Sequence, residues 1–194
     1  MTSLLMNNQP IACFDVPVLT DLPEDIRERL LLTQTKAGFI PNVMRVLARR
    51  PAEFRAFMAY HDALMDGDSG LSKAEREMIV VATSGANHCL YCVVAHGAIL
   101  RIRAKNATIA DQVATNYRQA DLTERQRAML DFAMKVSRDA ASLSDSDRQT
   151  ALKAGLSGED LWDIASIAAF FAMSNRLASA TEMKPNAEFY SMGR

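Results

Sequence analysis

The stretch that decides the fold runs from Glu77 to His96 and reads EMIVVATSGANHCLYCVVAH. Its apolar residues recur at helical spacing on both sides of a short polar break. Gly85 weakens the end of the first helix, so we expect this helix to end near Ala86. Asn87 is a good N-cap residue, so we predict that a second helix begins at Cys89.

Helix signals continue outward in both directions. Prolines at positions 23, 41 and 51 stand where three helices can open, and the first of these is predicted to run from about Glu24 to Lys36 and to end at Gly38. No convincing strand pattern is found, so the sequence predicts an all-α fold of about eight helices. Four more starts show capping-box spacing, the last two less strongly: Ser72 with Glu75, Thr123 with Gln126, Ser144 with Asp147, and Ser157 with Asp160.

The ends of the chain differ in character. Residues 1–22 carry no helical period, and we predict an extended N-terminal arm followed by a single helical domain over residues 23–194. The window Leu161–Met173 is apolar nearly all round, and a helix of that kind is buried on most of its faces. Burial on two sides in a domain of this size indicates a subunit contact, so we predict a homo-oligomer.

Composition excludes several classes of function. The 194 residues include 22 Lys and Arg against 23 Asp and Glu, and no basic run is interleaved with aromatic residues, so we expect no nucleic-acid partner. The start lacks a signal-peptide pattern, and the Leu161–Met173 window is too short to span a bilayer. We therefore expect a soluble, cytoplasmic protein without a membrane partner. Three cysteines in a reducing compartment favour catalysis or metal binding over a structural disulfide.

Three reactive side chains share one face of the second predicted helix. Cys89, Cys92 and His96 fall at positions i, i+3 and i+7, which places them on one stripe. A thiol at a helix N-terminus is favoured as a thiolate by the helix dipole and the free N–H groups. The His96 imidazole can take up the thiol proton and later return it to a leaving group. Glu77 can orient His96 if the turn folds the two helices together.

These residues also have simpler explanations. Buried cysteines at i and i+3 can be plain core residues. A metal site is a second alternative, because Cys89, Cys92, His96 and His88 could supply four ligands. Structural zinc sites usually join two separated ligand pairs, which this cluster does not, so we predict no metal. Two further residues are predicted to have no part in the site: Cys13, an incidental thiol of the arm, and His61, a surface or core histidine on another helix.

The pattern Glu77-x11-Cys89-x2-Cys92-x3-His96 resembles the signature of the alkylhydroperoxidase D-like proteins in the carboxymuconolactone decarboxylase superfamily. Residues 41–47 (PNVMRVL), 154–157 (AGLS) and 175–178 (NRLA) are similar to its peroxidase-related branch. The resemblance covers roughly residues 20 to 182, and the four-residue signature with its spacing is specific. It implies an oligomeric, all-helical bundle that reduces organic hydroperoxides with a cysteine pair and no bound cofactor.

The resemblance also implies roles for individual residues. Cys92 would attack the peroxide and become a sulfenic acid, and Cys89 would resolve it as a disulfide. Glu77 and His96 would form a proton relay, and a lipoylated or thioredoxin-like dithiol protein would restore the thiols. Helix position instead favours Cys89 as the more acidic thiol, and between these two arguments we follow the resemblance, which makes Cys92 the attacking sulfur.

Two neighbours of the cysteines are candidates for an assisting role, His88 and Tyr91. Tyr91 stands where the founder of the family has a second histidine, and tyrosine is a poor base near neutral pH.

The cysteine pair favours thiol redox chemistry over the lactone decarboxylation found elsewhere in the superfamily. A disulfide reductase or redox sensor with little peroxide turnover, and a metal-binding helical oligomer, are the alternative functions.

Overall fold

The computed structural model describes residues 10–194, and this part of the chain contains nine α-helices and no strand. The predicted all-α fold is confirmed. The first nine residues of the predicted arm lie outside the described residues. The helices are α1 (Glu24–Ala37), α2 (Asn42–Leu47), α3 (Pro51–Asp66), α4 (Lys73–Ala86), α5 (Leu90–Ala104), α6 (Ile109–Asn116), α7 (Glu124–Asp139), α8 (Asp145–Lys153) and α9 (Gly158–Ala180).

Capping explains which helices could be predicted. The hydroxyls of Ser72, Thr123, Ser144 and Ser157 each accept the N–H of the residue three positions later, and that residue's side chain accepts in return. All four predicted capping boxes are therefore present. The predicted number of about eight helices was wrong, because α6 was not among the predicted helices. Thr108, which precedes α6, makes no side-chain cap hydrogen bond, so this helix has no start signal of the same kind.

The junction between α4 and α5 differs from the prediction in the residue that caps the start of α5. Helix α4 ends at Ala86 as expected, but Asn87 is its C-cap and not the N-cap of α5. Cys89 is the N-cap of α5, and its sulfur accepts the Cys92 N–H in place of the usual side-chain oxygen. His88, between them, has a φ of 54°, a left-handed conformation that turns the chain back.

Helix α4 forms the centre of the fold and packs against α5, α6, α7 and α9. Its residues Ile79, Val80 and Val81 are fully buried. Helix α9 buries Ile164 and Ile167 against this core, but the opposite face is not covered in the single chain. That face carries Trp162, Met173 and Leu177, which are exposed. It is the surface that the predicted homo-oligomer would cover, and association itself stays a prediction.

The segment after α9 is held from two sides. The Cys13 N–H donates to the Thr181 carbonyl at 2.8 Å, and the Lys184 N–H donates to the Ile11 carbonyl at 2.9 Å. On the other side, the Asn42 side chain at the start of α2 donates to the Lys184 carbonyl at 2.9 Å. The described part of the arm and α2 therefore fix residues 181–184. Within residues 10–194, no helix combines the length and apolar composition that a bilayer crossing requires.

We expect Ile167→Ala to lower the free energy of unfolding by about 2–5 kcal/mol, because Ile167 is fully buried in the central core. Urea denaturation followed by circular dichroism measures the loss. Leu32→Ala is the matched control, since Leu32 is 54% exposed on α1, and its effect should stay within about 0.5 kcal/mol. Equal losses in both variants would contradict the described packing.

Candidate active site

The turn at His88 brings together two residues that lie far apart along the chain. Glu77 on α4 and His96 on α5 form a hydrogen bond of 2.8 Å between the Glu77 Oε2 and the His96 Nδ1. Their side chains are only 8% and 12% exposed. Because a carboxylate can only accept, the Nδ1–H donates to Glu77 and leaves Nε2 as the nitrogen that can exchange a proton. The ring of Phe171 meets the His96 ring edge-on at 4.7 Å between centroids and completes its surroundings.

Both cysteines of the motif are buried free thiols, with exposed fractions of 1% for Cys89 and 2% for Cys92. The Cys92 N–H donates to the Cys89 sulfur at 3.4 Å. Hydrogen bonding by the Cys92 thiol and by this N–H lowers the pKa of Cys89 to about 6, against the opposing effect of burial. The interaction with Cys89, together with burial, raises the pKa of Cys92. These opposite shifts make Cys89 the more acidic thiol of the pair.

A surface cavity of about 220 Å³ is bordered by one cysteine of the pair. Cys89, Leu90 and Tyr91 from the start of α5 form one wall, and Ser179 and Lys184 are among the residues of the opposite wall. Cys92 is not among the lining residues. Of the two cysteines, Cys89 is therefore the one nearer to a molecule in this cavity.

Sequence reasoning missed three polar residues of α9 that influence the cysteines. Ser174 and Asn175 act against the raised pKa of Cys92, and Ser179, which lines the same cavity as Cys89, helps to lower the pKa of Cys89. Their signal in the sequence is a set of polar residues, within two helical turns, in an otherwise apolar helix. Periodicity alone could not assign them to the site, because their partners lie on α5.

The two candidate assisting residues occupy different surroundings. The Tyr91 hydroxyl accepts the Val43 N–H at 3.0 Å, and burial raises its pKa, so it anchors α2 and is a poor proton donor. His88 is exposed and lies at the rim of the cavity over Cys89.

His61 lies closer to the site than the sequence suggested. Its ring on α3 lies 6.3 Å from Phe171, the same ring that contacts His96. Burial, followed by the charge of His96, lowers the pKa of His61. Cys13 is exposed, and its sulfur lies 3.8 Å from the Ala180 carbonyl oxygen. Across residues 10–194, no three His, Cys, Asp or Glu side chains are grouped so that they could hold a metal ion.

Comparison with known proteins places this geometry in a family. Residues 51–116 match the Carboxymuconolactone decarboxylase family. An uncharacterized peroxidase-related protein from Ralstonia eutropha, described as an alkylhydroperoxidase AhpD core, is 60% identical over 96% of this chain and 98% of its own, with a TM-score of 0.95. The chain belongs to the alkylhydroperoxidase D-like, peroxidase-related branch of this family. The predicted family and fold are confirmed.

Two further solved structures share this fold. An uncharacterized peroxidase-related protein from Silicibacter is 40% identical over 98% of this alkylhydroperoxidase D-like chain and all of its own, with a TM-score of 0.92. The debrominase Bmp8 is 20% identical over 95% of this chain and 96% of its own, with a TM-score of 0.76, which shows a shared fold. No curated protein matches the sequence.

The thiolate assigned to Cys89 can be measured directly. In a Cys13→Ser background, we expect the thiolate absorbance at 240 nm to titrate with a midpoint near pH 6, because the pKa of Cys89 is lowered to about 6. An ordinary cysteine titrates near 8.5. The same protein with Cys89→Ser should lose this transition, whereas a midpoint that stays near pH 8.5 would contradict the assignment.

Proposed function

We propose that this protein is a thiol-dependent peroxidase that reduces organic hydroperoxides with the Cys89–Cys92 pair. The observation that carries the proposal is a buried cysteine pair at a helix start, on the same stripe as an imidazole that is hydrogen-bonded to a buried carboxylate at 2.8 Å. An acid, an imidazole and a thiol in this order form the arrangement that activates a nucleophile. Membership of the peroxidase-related branch supports the same reading.

The first step oxidises one sulfur. The Cys89 thiol ionises by passing its proton to His96 by way of the Cys92 thiol, which lies between them on the same stripe, and the thiolate attacks the terminal oxygen of the hydroperoxide. An S–O bond forms, the O–O bond breaks, and the leaving alkoxide takes the proton back from the His96 Nε2 along the same route. The products are an alcohol and a Cys89 sulfenic acid. We assign the attack to Cys89 and not to Cys92, because Cys89 lines the cavity and has the lowered pKa.

The second step closes the disulfide. The Cys92 sulfur attacks the Cys89 sulfenic acid, an S–S bond forms, and the S–O bond breaks. The hydroxide leaves as water after taking the Cys92 proton through His96. Glu77 stabilises the charged imidazole in both steps, because its carboxylate is already held at Nδ1.

A dithiol donor completes the cycle. Its thiolate attacks the disulfide at Cys89, the sulfur that the cavity reaches, and its second thiol then releases the reduced pair as the donor becomes a disulfide. A lipoylated or thioredoxin-like protein supplies this chemistry. The same access to Cys89 favours a second candidate function, a disulfide reductase or redox sensor that reacts with dithiols and turns over peroxide slowly.

We expect Cys89→Ser and Cys92→Ser each to abolish turnover of cumene hydroperoxide with a dithiol donor, because the disulfide needs both sulfurs. In the unchanged protein, mass spectrometry should find two thiols lost after one equivalent of peroxide and a peptide that links Cys89 to Cys92. Dimedone should trap a sulfenic acid on Cys89 in Cys92→Ser, and Cys13→Ser is the control that keeps full activity.

Full turnover in either motif variant would rule out the peroxidase mechanism. A trapped sulfenic acid on Cys92 in Cys89→Ser would instead assign the first attack to Cys92. Fast exchange with a dithiol protein beside slow peroxide consumption would favour the reductase or sensor.

We expect His96→Gln to lower kcat/KM for cumene hydroperoxide by about 10²- to 10⁴-fold, the usual contribution of a positioned proton donor. Glu77→Gln should cause a smaller loss, because the amide keeps the shape but not the charge that stabilises the imidazolium. Peroxide consumption over a range of pH measures both effects. Glu53→Gln, on the exposed side of α3, is the control for a changed net charge, and an equal rate in all three variants would exclude the relay.

A further inference from the structure

Helix α9 is buried on one side and uncovered on the other. Its inner side packs on α3, α4, α5, α7 and α8. Its outer side carries a row of residues that no other part of residues 10–194 buries, and we call this row the outer stripe. Its members are exposed except for the half-buried Ser166, and they are Trp162, Ser166, Ala169, Met173, Arg176 and Ala180.

The spacing of the outer stripe identifies the kind of partner that fits it. From Trp162 to Ala180, steps of four and three residues alternate along the helix. This is the alternation of the a and d positions of a heptad repeat, the positions by which two helices pack side by side. A second helix with the same alternation therefore fits the stripe.

The sizes of the side chains make the stripe complementary to itself. When two copies of α9 run antiparallel, with the end of one stripe beside the start of the other, Trp162 faces Ala180 and Ala169 faces Met173. Each of these layers joins one large and one small side chain, an arrangement that fills the space between two helices. The stripe of a second copy therefore packs well against it.

Charge favours the antiparallel arrangement over the parallel one. In a parallel pair, each residue of the stripe would face its own copy, so that Arg176 would meet a second Arg176 and the like charges would repel. In the antiparallel pair, Arg176 faces Ser166. The two arginines are then ten residues apart along the helix axis, about 15 Å, which is more than a Debye length at physiological salt.

We propose that the outer stripe is the contact between two copies of this chain, formed by an antiparallel, two-fold symmetric pair of α9 helices. The overlap from Trp162 to Ala180 is about 27 Å long. Trp162 is 72% exposed in the single chain and supplies the largest side chain that the contact removes from water. The inference gives the predicted association a surface and a geometry, and it does not depend on the proposed function.

Sedimentation velocity of the full chain measures the mass of the assembly. Ala169→Glu and Met173→Lys each place a charge in the seam, and both positions are exposed in the single chain, so circular dichroism should find both variants folded. Loss of a two-fold contact divides an assembly into halves, so we expect each variant to have half the mass of the unchanged protein. Leu32→Glu, at a position that is 54% exposed on α1, is the control and should keep the full mass.

Mixing the two variants tests how the helices are aligned. In the proposed pair, the new carboxylate of Ala169→Glu faces the new amine of Met173→Lys in one layer, and the symmetric layer keeps the original Ala169 and Met173. An equimolar mixture should therefore recover the full mass. A mixture of Trp162→Glu with Met173→Lys should stay at half the mass, because Trp162 faces Ala180 and the two new charges do not meet.

A second readout uses Trp162, the only tryptophan of the chain. Its fluorescence should lie at shorter wavelength in the unchanged protein than in Ala169→Glu, since the contact removes the ring from water. Full mass in both Ala169→Glu and Met173→Lys, or recovery only in the mixture that contains Trp162→Glu, would overturn the inference. A monomeric unchanged protein would overturn it as well, and a short emission wavelength in that monomer would show that the chain itself covers the stripe.

Discussion

The chain reversal between α4 and α5 is the constraint on which the rest of the site depends. In one straight helix, the twelve residues from Glu77 to Cys89 would separate them by about 18 Å. The left-handed conformation of His88 turns the chain, and the N–H groups of His88 and Cys89 donate to the carbonyls of Gly85 and Ser84. The same turn leaves Cys89 as the helix N-cap and packs α5 along α4. The position of the Cys89 thiol and the contact between Glu77 and His96 therefore both depend on this turn.

The buried Glu77, His96 and Cys89 side chains of this site all have hydrogen-bond partners. Glu77 and His96 satisfy one another, and the Cys89 sulfur accepts a backbone N–H. Within the described residues, the buried side-chain atoms without a partner are the Ser137 hydroxyl and one Asp160 oxygen, and both lie away from the cysteines. The Cys92 N–H is held toward the Cys89 sulfur before any reaction, and a dipole fixed in a buried site stabilises charge without reorganisation.

Local chemistry determined what could be predicted from the sequence. Helices that open with a proline or a capping box were found, because these signals act within a few residues, whereas α6 has no such cap. The one-face register of Cys89, Cys92 and His96 also follows from spacing within a helix. The N-cap role of Cys89, the bonds of Asn175 to Asn87 and Ser84 and the position of His61 depend on how separate helices pack. A single sequence carries no direct signal for that packing.

Tertiary packing also gives a physical basis for choosing between two conflicting assignments of the attacking sulfur. The family pattern points to Cys92 and the helix dipole to Cys89, and both arguments treat the sulfurs as alike in access. The structure makes them unlike, since Cys89 borders the cavity and accepts the helix N–H, whereas Cys92 does not line the cavity. The proposed attack at Cys89 rests on this difference, because a sulfur that reacts with both an oxidant and a dithiol needs access and a low pKa, and Cys89 has both.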